Sequence, residues 1–577
     1  GFHLTSLSLH LLAAALLFYL ARDTLAGPRL PAAVRQLAIG LAAAIAMVWA
    51  VHPLTTQAVT YIYQRIELLA SLCMLTCLLA TNRVWHPTEQ TDRLLGWKLL
   101  ALAAACLAML SKETAVVLPL LVLLQGWLLT ERPAVALRQQ GRFLLLLAGS
   151  WLVLFAVLLA QRQHYAEIEK AVHPPLAYLL TQAGVIVHYL RLVVWPSGQC
   201  LDYDWPLADS PLTVWWQGPL VVAGVVATAS GLWRRQVWAF PAAGFFLVLA
   251  PTSSLVPVAD IANEHRMYLP LACLLGLTIP AGWWLMVSRT GDGSQQATRR
   301  LFAVAIFGVT AVLGGITHNR NTVYASRWAM WTDVLAKRPE NPRAHWFTGL
   351  MLAEQGQTDE ALAHAGRATR LDPFVRAYQQ LGQIFSDAGD RASWERACRE
   401  GRATLTALGK AAAPPTLDLG VGQATALFEL GRATEARRLL DELLPEIQQH
   451  LPADHGVRFA ARLLSLRLQL AAGQPALADA RRLLDDAATA LGPAHTTTLA
   501  AETALAVSLA ATGEDAEAEA RLRSVLASQQ QKPANLPATD AAATTLAGFL
   551  KSRDRWPAVG QLWQQLAEDR CQQLGVG

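Results

Sequence analysis

The sequence predicts an all-α protein in two parts: a polytopic transmembrane helical bundle over residues 1–318, then a solenoid of helical repeats over 319–577. Three observations lead there. Hydrophobic residues make up 53% of the 577 and charged residues only 16%, against about 25% charged in an ordinary soluble chain. The deficit ends abruptly. No Asp, Glu, Lys or Arg lies between Leu301 and His318, whereas from Arg320 onward charges recur every few residues. Glycines then return at a regular spacing through the charged half.

A spanning helix needs about 20 apolar residues. Eleven segments qualify: 4–21, 36–51, 67–82, 94–110, 114–130, 143–160, 176–195, 213–233, 237–258, 268–288 and 301–318. Cations in the connecting loops set the orientation. Arg22, Arg29, Arg35, then Arg83, Arg93, Lys98, then Arg132, Arg138, Arg142 follow the first, third and fifth segments and mark cytoplasmic loops. The loops after the second, fourth and sixth hold only Arg65, Lys112, and Arg162 with Lys170. Arg234-Arg235 and Arg289, Arg299, Arg300 are also cytoplasmic on this reading. Strict alternation through eleven crossings would put Arg234-Arg235 outside and the cation-free loop 196–212 inside. The conflict disappears if 176–195, which carries Gln182, His188 and Arg191, lies at the interface, where polar groups cost least. Ten crossings remain, with Gly1 and the repeats both external.

The net charge of +5 follows from these loops. No basic-aromatic stripe of the kind that binds nucleic acid is present. The seven cysteines form neither a disulfide framework nor a metal set: Cys73, Cys77, Cys106 and Cys273 sit in apolar runs, and Cys200, Cys398 and Cys571 are scattered. There is no basic signal-peptide start, and Gly1 reads as the start of a fragment.

In the charged half, PRAHWFTGLMLAEQGQTDEALAHAGRATRLDP fits a tetratricopeptide (TPR) repeat. Gly349 and Ala361 let paired helices approach, Gly356 makes the turn and Pro373 ends the second helix. Turn glycines recur at 356, 389, 431, 473 and 513, spaced 33, 42, 42 and 40 residues. A sixth, degenerate unit is expected from Ala534, and ASRWAMWTDVLAKRPENP reads as a half-repeat.

Four polar motifs fall on the external side: HPLTTQAVTYIYQRIE with His52, Arg65 and Glu67; Ser111-Lys112-Glu113; CLDYDWP with Asp202 and Asp204; and DIANEHRMYLP with Asp260, Glu264, His265, Arg266 and Tyr268. Each alone is compatible with a solvated loop. Together, scarce ionisable residues at one membrane face suit a phosphate headgroup, held by Arg and Lys, with a carboxylate to take a proton from an acceptor hydroxyl. Arg266 and Lys112 are the foremost phosphate partners on this reading. No P-loop, GxSxG, HExxH or dinucleotide fingerprint occurs.

The ordered run HPLTTQAVTYIYQRIELLA, SKETAVVLPL, DYDWP and EHRMYLP, followed by TPRs, resembles the transmembrane and tetratricopeptide-repeat O-mannosyltransferases and their bacterial relatives, which are C-type glycosyltransferases. His52, Arg65, Glu67, Lys112, Glu113, Asp204, Glu264 and Arg266 match the family pattern and are the implied donor- and substrate-binding residues; Gln57 stands where Glu is expected. The resemblance implies a sugar donor linked to polyprenyl phosphate or dolichyl phosphate, with no resident metal or cofactor. In the wider fold the catalytic carboxylates lie on the first external loop. GFHLTSLSLH resembles the start of the second helix, so that loop is expected to precede Gly1, and no catalytic base is assigned. The expected function is transfer of a sugar to protein or peptide acceptors at the periplasmic face, with the TPR groove binding the acceptor. The alternative is a membrane-anchored TPR scaffold for an envelope or pilus assembly complex. The absence of any Asn-x-Ser/Thr site points to a bacterial inner membrane.

This topology has a direct test. Cysteines introduced near Gly198 and near Ala365 should both react with an impermeant thiol reagent from outside, and protection of the Ala365 region in intact cells would overturn the orientation.

Overall fold

A computed structural model describes residues 1–86, 93–161, 173–254, 257–289, 295–474, 476–530 and 536–574. Arg162, Lys170 and Ala534 lie outside the described residues, as does the side chain of Cys571. Every described element is a helix, α or 3-10. The chain divides into two compact units, Gly1–Pro339 and Glu340–Gly577.

In the first unit, long apolar runs fold as helices because in hydrocarbon every backbone N–H and C=O must be satisfied within the segment. Among the described residues, seven helices are long and apolar enough to cross a membrane: Phe2–Leu25, Ile62–Trp85, Leu94–Ser111, Gly141–Ala160, Pro175–Val194, Glu264–Val287 and Gln295–Tyr324. The pair Ala38–Val51 and Pro53–Thr60, bent by 55°, makes an eighth if it is one span. The bend follows from Pro53, which cannot continue the hydrogen-bond ladder. His52 is extended there, and its Nδ1 accepts from the Leu54 N–H at 3.2 Å. Three shorter apolar helices, Glu113–Leu129, Gln217–Trp233 and Ala239–Thr252, complete the set.

The outward faces of these helices are apolar. Leu145, Leu152, Val304 and Phe307 are exposed on helices Gly141–Ala160 and Gln295–Tyr324, as contact with lipid requires. Trp215 and Trp216 lie before one end of the helix Gln217–Trp233, and exposed Trp233 and Trp238 mark the other, in the manner of interfacial aromatic belts. Pro175–Val194 passes the length and hydropathy test for a span. Its buried tyrosines nevertheless bond to the loop before residue 264: Tyr178 Oη donates to the Thr252 carbonyl at 2.5 Å and Tyr189 Oη to the Asn263 carbonyl at 2.8 Å.

Two arginines of the basic loops have structural work. Arg29 donates to the Leu128 carbonyl and, at 2.6 Å, to the Arg235 carbonyl. Arg235 donates to the carbonyls of Thr130 and Trp127 at 3.0 and 3.2 Å. Cations thus occupy the carbonyl end of the helix Leu118–Leu129, where the helix dipole favours them.

The second unit is six helix pairs: 342–354 with 358–371, 377–387 with 391–407, 414–429 with 433–450, 456–471 with 477–491, 496–512 with 515–530, and 536–552 with 556–574. The five periodic glycines sit at the turns of the first five pairs with φ of 77°, 76°, 77°, 71° and 88°. That left-handed region is open to glycine without steric cost. In the sixth turn Asp554 takes φ 56° instead. The half-repeat, Arg327–Lys337, belongs to the first unit. Ala365 is buried at 1% exposure, so the labelling position for the topology test is its exposed neighbour Ala363.

Close helix approach makes a second prediction. A Cβ on Gly401 would meet the Tyr378 Cβ and Cγ at 2.7 Å and Leu419 Cδ1 at 2.9 Å. Gly401→Ala should therefore destabilise by about 1–3 kcal/mol through overpacking, despite the better helix propensity of Ala. Urea unfolding followed by circular dichroism would measure it; a stabilising outcome would show that Tyr378 moves freely.

Candidate functional site

The polar loops meet through hydrogen bonds between motifs far apart in sequence. The His265 backbone N–H donates to Gln57 Oε1 at 2.7 Å, and Gln57 Nε2 donates to the Leu201 carbonyl at 3.4 Å. Position 57 therefore needs a donor as well as an acceptor, which an amide supplies and a carboxylate does not. His52 Nε2 bonds to the Val193 carbonyl at 3.1 Å, tying the helix break to the end of Pro175–Val194.

Glu264 opens the short 3-10 turn Glu264–Met267 and has no exposed surface. Its Oε1 accepts from the Cys200 N–H at 2.7 Å and from Tyr203 Oη at 2.6 Å, and its Oε2 from Gln199 Nε2 at 2.8 Å. Arg320, 6% exposed, lies 4.0 Å from Oε1 and pairs with Asp333 at 3.0 Å. Lys337 Nζ pairs with Asp333 at 2.6 Å and donates to the Gln199 carbonyl at 2.7 Å. The ring closes: Glu264, Gln199, Lys337, Asp333, Arg320 and back to Glu264. Burial and the Glu264 carboxylate hold the Tyr203 phenol well above its usual pKa, so it stays a donor. Burial also pushes the Cys200 thiol up to about 11, which leaves it protonated and unreactive near neutrality.

A second buried pair lies between the first two motifs. Lys112 Nζ is 2.6 Å from Glu67 Oε2, and both side chains are under a tenth exposed. Lys112 follows the last residue of the helix Leu94–Ser111, and Glu67 lies in the first turn of Arg65–Trp85. His265 is 7% exposed, and its Nδ1 has no hydrogen-bond partner among the described residues. His10 bridges the Tyr268 hydroxyl at 2.8 Å and the Ala50 carbonyl at 3.0 Å, anchoring the first helix behind this layer. Among the described residues, no group of three or more His, Cys, Asp and Glu could hold a metal ion.

The other sequence-derived residues are placed differently. Arg266, expected to hold phosphate, is only 8% exposed and gives its guanidinium to main-chain carbonyls: Ile261 at 3.0 Å, Thr252 at 3.3 Å, and Asp260. In this position it clamps the loop before the turn. Arg65 stacks over the Phe2 ring at 4.7 Å and donates to the Ile62 carbonyl. Glu113 and Asp204 are exposed. Asp204 sits at φ 42° in a turn where its N–H meets Asp202 Oδ1 at 3.1 Å, on either side of the inward-facing Tyr203. Gln199, Tyr203, Arg320, Asp333 and Lys337 escaped the sequence reading. The available signal was Arg320, the first charge after a long neutral run.

The fold and site define an all-helical membrane protein that carries a TPR-type repeat domain. The mouse (Mus musculus) protein O-mannosyl-transferase TMTC1 is 32% identical to the chain over 233 residues, 37% of this chain and 24% of that protein. The chain thus spans about a quarter of the length of this relative. Two crystal structures of nearly identical TPR-like repeats from Podosopora anserina, described as kinesin-light-chain repeats, are 21% and 20% identical. They cover 34% of this chain and 95% and 98% of their own, each with a TM-score of 0.26. No protein-family model matches the chain.

The ring gives a stability prediction. Arg320→Ala would leave Glu264 and Asp333 without their shared cation, a loss of about 3–5 kcal/mol for a buried pair. Arg320→Met combined with Glu264→Gln should cost less than Arg320→Ala alone. Thermal unfolding in detergent would read both, and equal stability of Arg320→Ala and wild type would remove the ring from the fold's supports.

Proposed function

We propose that the protein is a membrane glycosyltransferase. It transfers a sugar from a polyprenyl-phosphate-linked donor to protein acceptors at the periplasmic face of a bacterial inner membrane, and its TPR unit binds the acceptor. The observation that carries this reading is a buried acid–base pair, Glu67 with Lys112, at the ends of otherwise apolar helices. Such groups are costly in a membrane protein and have no place in a bare anchor. The likeness to an O-mannosyl-transferase over 233 residues supports the same reaction class. An apolar crevice of ≈ 110 Å³, lined by Leu17, Ile45, Leu78, Phe240 and Leu269 among others, begins near the Glu264–Met267 turn and suits a lipid chain.

In this reading Lys112 takes the donor phosphate, since its ammonium has three donors and only one is committed to Glu67. Lys112→Ala should cut transfer about 10–150-fold, the equivalent of a lost charge-assisted contact of about 1.5–3 kcal/mol. A short peptide and a folded protein should be affected alike. The assay is sugar transfer from polyprenyl-phosphate and dolichyl-phosphate donors in reconstituted membranes. Wild-type rates in Lys112→Ala would remove the lysine from the site, and no transfer from any such donor would favour the scaffold alternative.

A further inference from the structure

The first helix pair of the repeat unit, Pro342–Glu354 and Thr358–Leu371, brings together two histidines that the proposed transfer does not use. His345 Nδ1 lies 3.0 Å from His364 Nδ1, and the ring centroids are 5.0 Å apart with the planes tilted by 46°. Both residues are half-buried and keep some solvent-exposed surface. Helix packing explains the juxtaposition. A Cβ on Gly349, one turn after His345, would meet the Ala361 carbonyl oxygen at 3.1 Å and the His364 Cβ at 3.3 Å. The missing side chain lets the two helices close together, and the imidazoles meet beside the point of approach.

Two ring nitrogens at this spacing can share a proton, one donating and the other accepting. They can also share a metal ion. With metal–nitrogen bonds of about 2.0–2.1 Å, nitrogens 3.0 Å apart subtend an angle of about 90–97° at the ion. That is the right angle of a tetragonal copper(II) or nickel(II) site, narrower than the tetrahedral angle of about 109° that zinc prefers. Rotation about χ2 is soft for histidine and turns both lone pairs toward the ion. A ligating imidazole must be neutral, and burial together with His345 holds the His364 ring below its usual pKa. Glu360, exposed one turn before His364, sets a negative charge nearby that favours a cation.

We propose that His345 and His364 form a two-imidazole site for a tetragonal divalent ion, copper(II) before all others, with water in the remaining positions. Copper(II) leads because nitrogen ligands favour it over the neighbouring divalent metals and because the angle suits it. On binding, the proton of the donating ring moves from Nδ1 to Nε2, so both Nδ1 lone pairs become ligands and no net proton is lost. The ion replaces the shared proton as the bridge and staples the two helices of the first pair. The site is independent of the proposed glycosyl transfer, and its test needs no sugar donor.

The test uses the whole chain in detergent, cleared of metal with a chelator and then given substoichiometric copper(II). Electron paramagnetic resonance of the wild type should show an axial copper(II) signal split by two nitrogens, a readout that depends on no variant. His345→Asn and His364→Asn should each weaken the tightest copper site by about 10²–10⁴-fold, as expected when one of two linked ligands is lost. His450→Asn, whose half-exposed ring pairs with Glu446 in another helix pair, should leave it unchanged. Copper(II) should also slow hydrogen exchange over residues 342–371 in the wild type and in neither site variant. Zinc(II) should bind more weakly than copper(II). A signal split by one nitrogen or none, equal copper affinity in wild type and both site variants, or a preference for zinc(II) would overturn the proposal and leave the pair as a hydrogen bond alone.

Discussion

Burying the Glu264 carboxylate is the constraint on which the polar end of the membrane unit depends. A carboxylate with no exposed surface costs several kcal/mol unless it is paired and hydrogen-bonded. Four groups from two stretches of chain meet that cost: the Gln199 amide, the Cys200 N–H and the Tyr203 hydroxyl from one loop, and Arg320 from the end of the last apolar helix. Arg320 is itself costly at 6% exposure, and Asp333 completes it. Lys337 then ties Asp333 to the carbonyl of Gln199. Each member is needed because its neighbour is buried, so loop, turn, helix end and half-repeat hold one register. Apolar packing of similar volume is often at least as stable as a buried ion pair, so what the ring adds is a defined set of partners for each buried charge.

Hydropathy made the helices legible because the hydrocarbon leaves the backbone one solution. The eleven apolar segments correspond in order to the seven long helices, the bent pair and the three shorter ones. The repeat turns were legible for a related reason: a turn needing positive φ selects glycine, and five glycines at fixed spacing expose the period. The last turn broke the rule by using Asp554, which is why the sixth unit looked degenerate.

The site was legible only as a list of residue types. Glu264 and Arg266 were both picked out, yet what each does depends on partners that sequence spacing does not reveal. Arg266 meets carbonyls of its own loop and of Thr252, because the chain before the 3-10 turn doubles back over it. Arg320 looked like the first charge of a soluble domain, since a charge after nineteen neutral residues marks a bilayer exit in sequence. In three dimensions that charge faces inward, toward the carboxylates of Glu264 and Asp333.

The two buried acid–base pairs differ in what they leave available, and this separates support from chemistry. Both oxygens of Glu264 are occupied by donors within 2.8 Å, and Arg320 is divided between two carboxylates. Both carboxylate oxygens are thereby tied to fixed partners of the fold, while Arg320 Nε has no hydrogen-bond partner among the described residues. Glu67 engages Lys112 through Oε2 alone, which leaves its other oxygen and the remaining ammonium protons of Lys112 for a ligand. His265, in the same turn as Glu264, adds a ring nitrogen without a partner among the described residues. On the proposed function, the Glu264 ring fixes the loops in place, and the phosphate meets the less fully satisfied pair, because unspent hydrogen-bonding capacity is what a buried site must keep in order to bind anything at all.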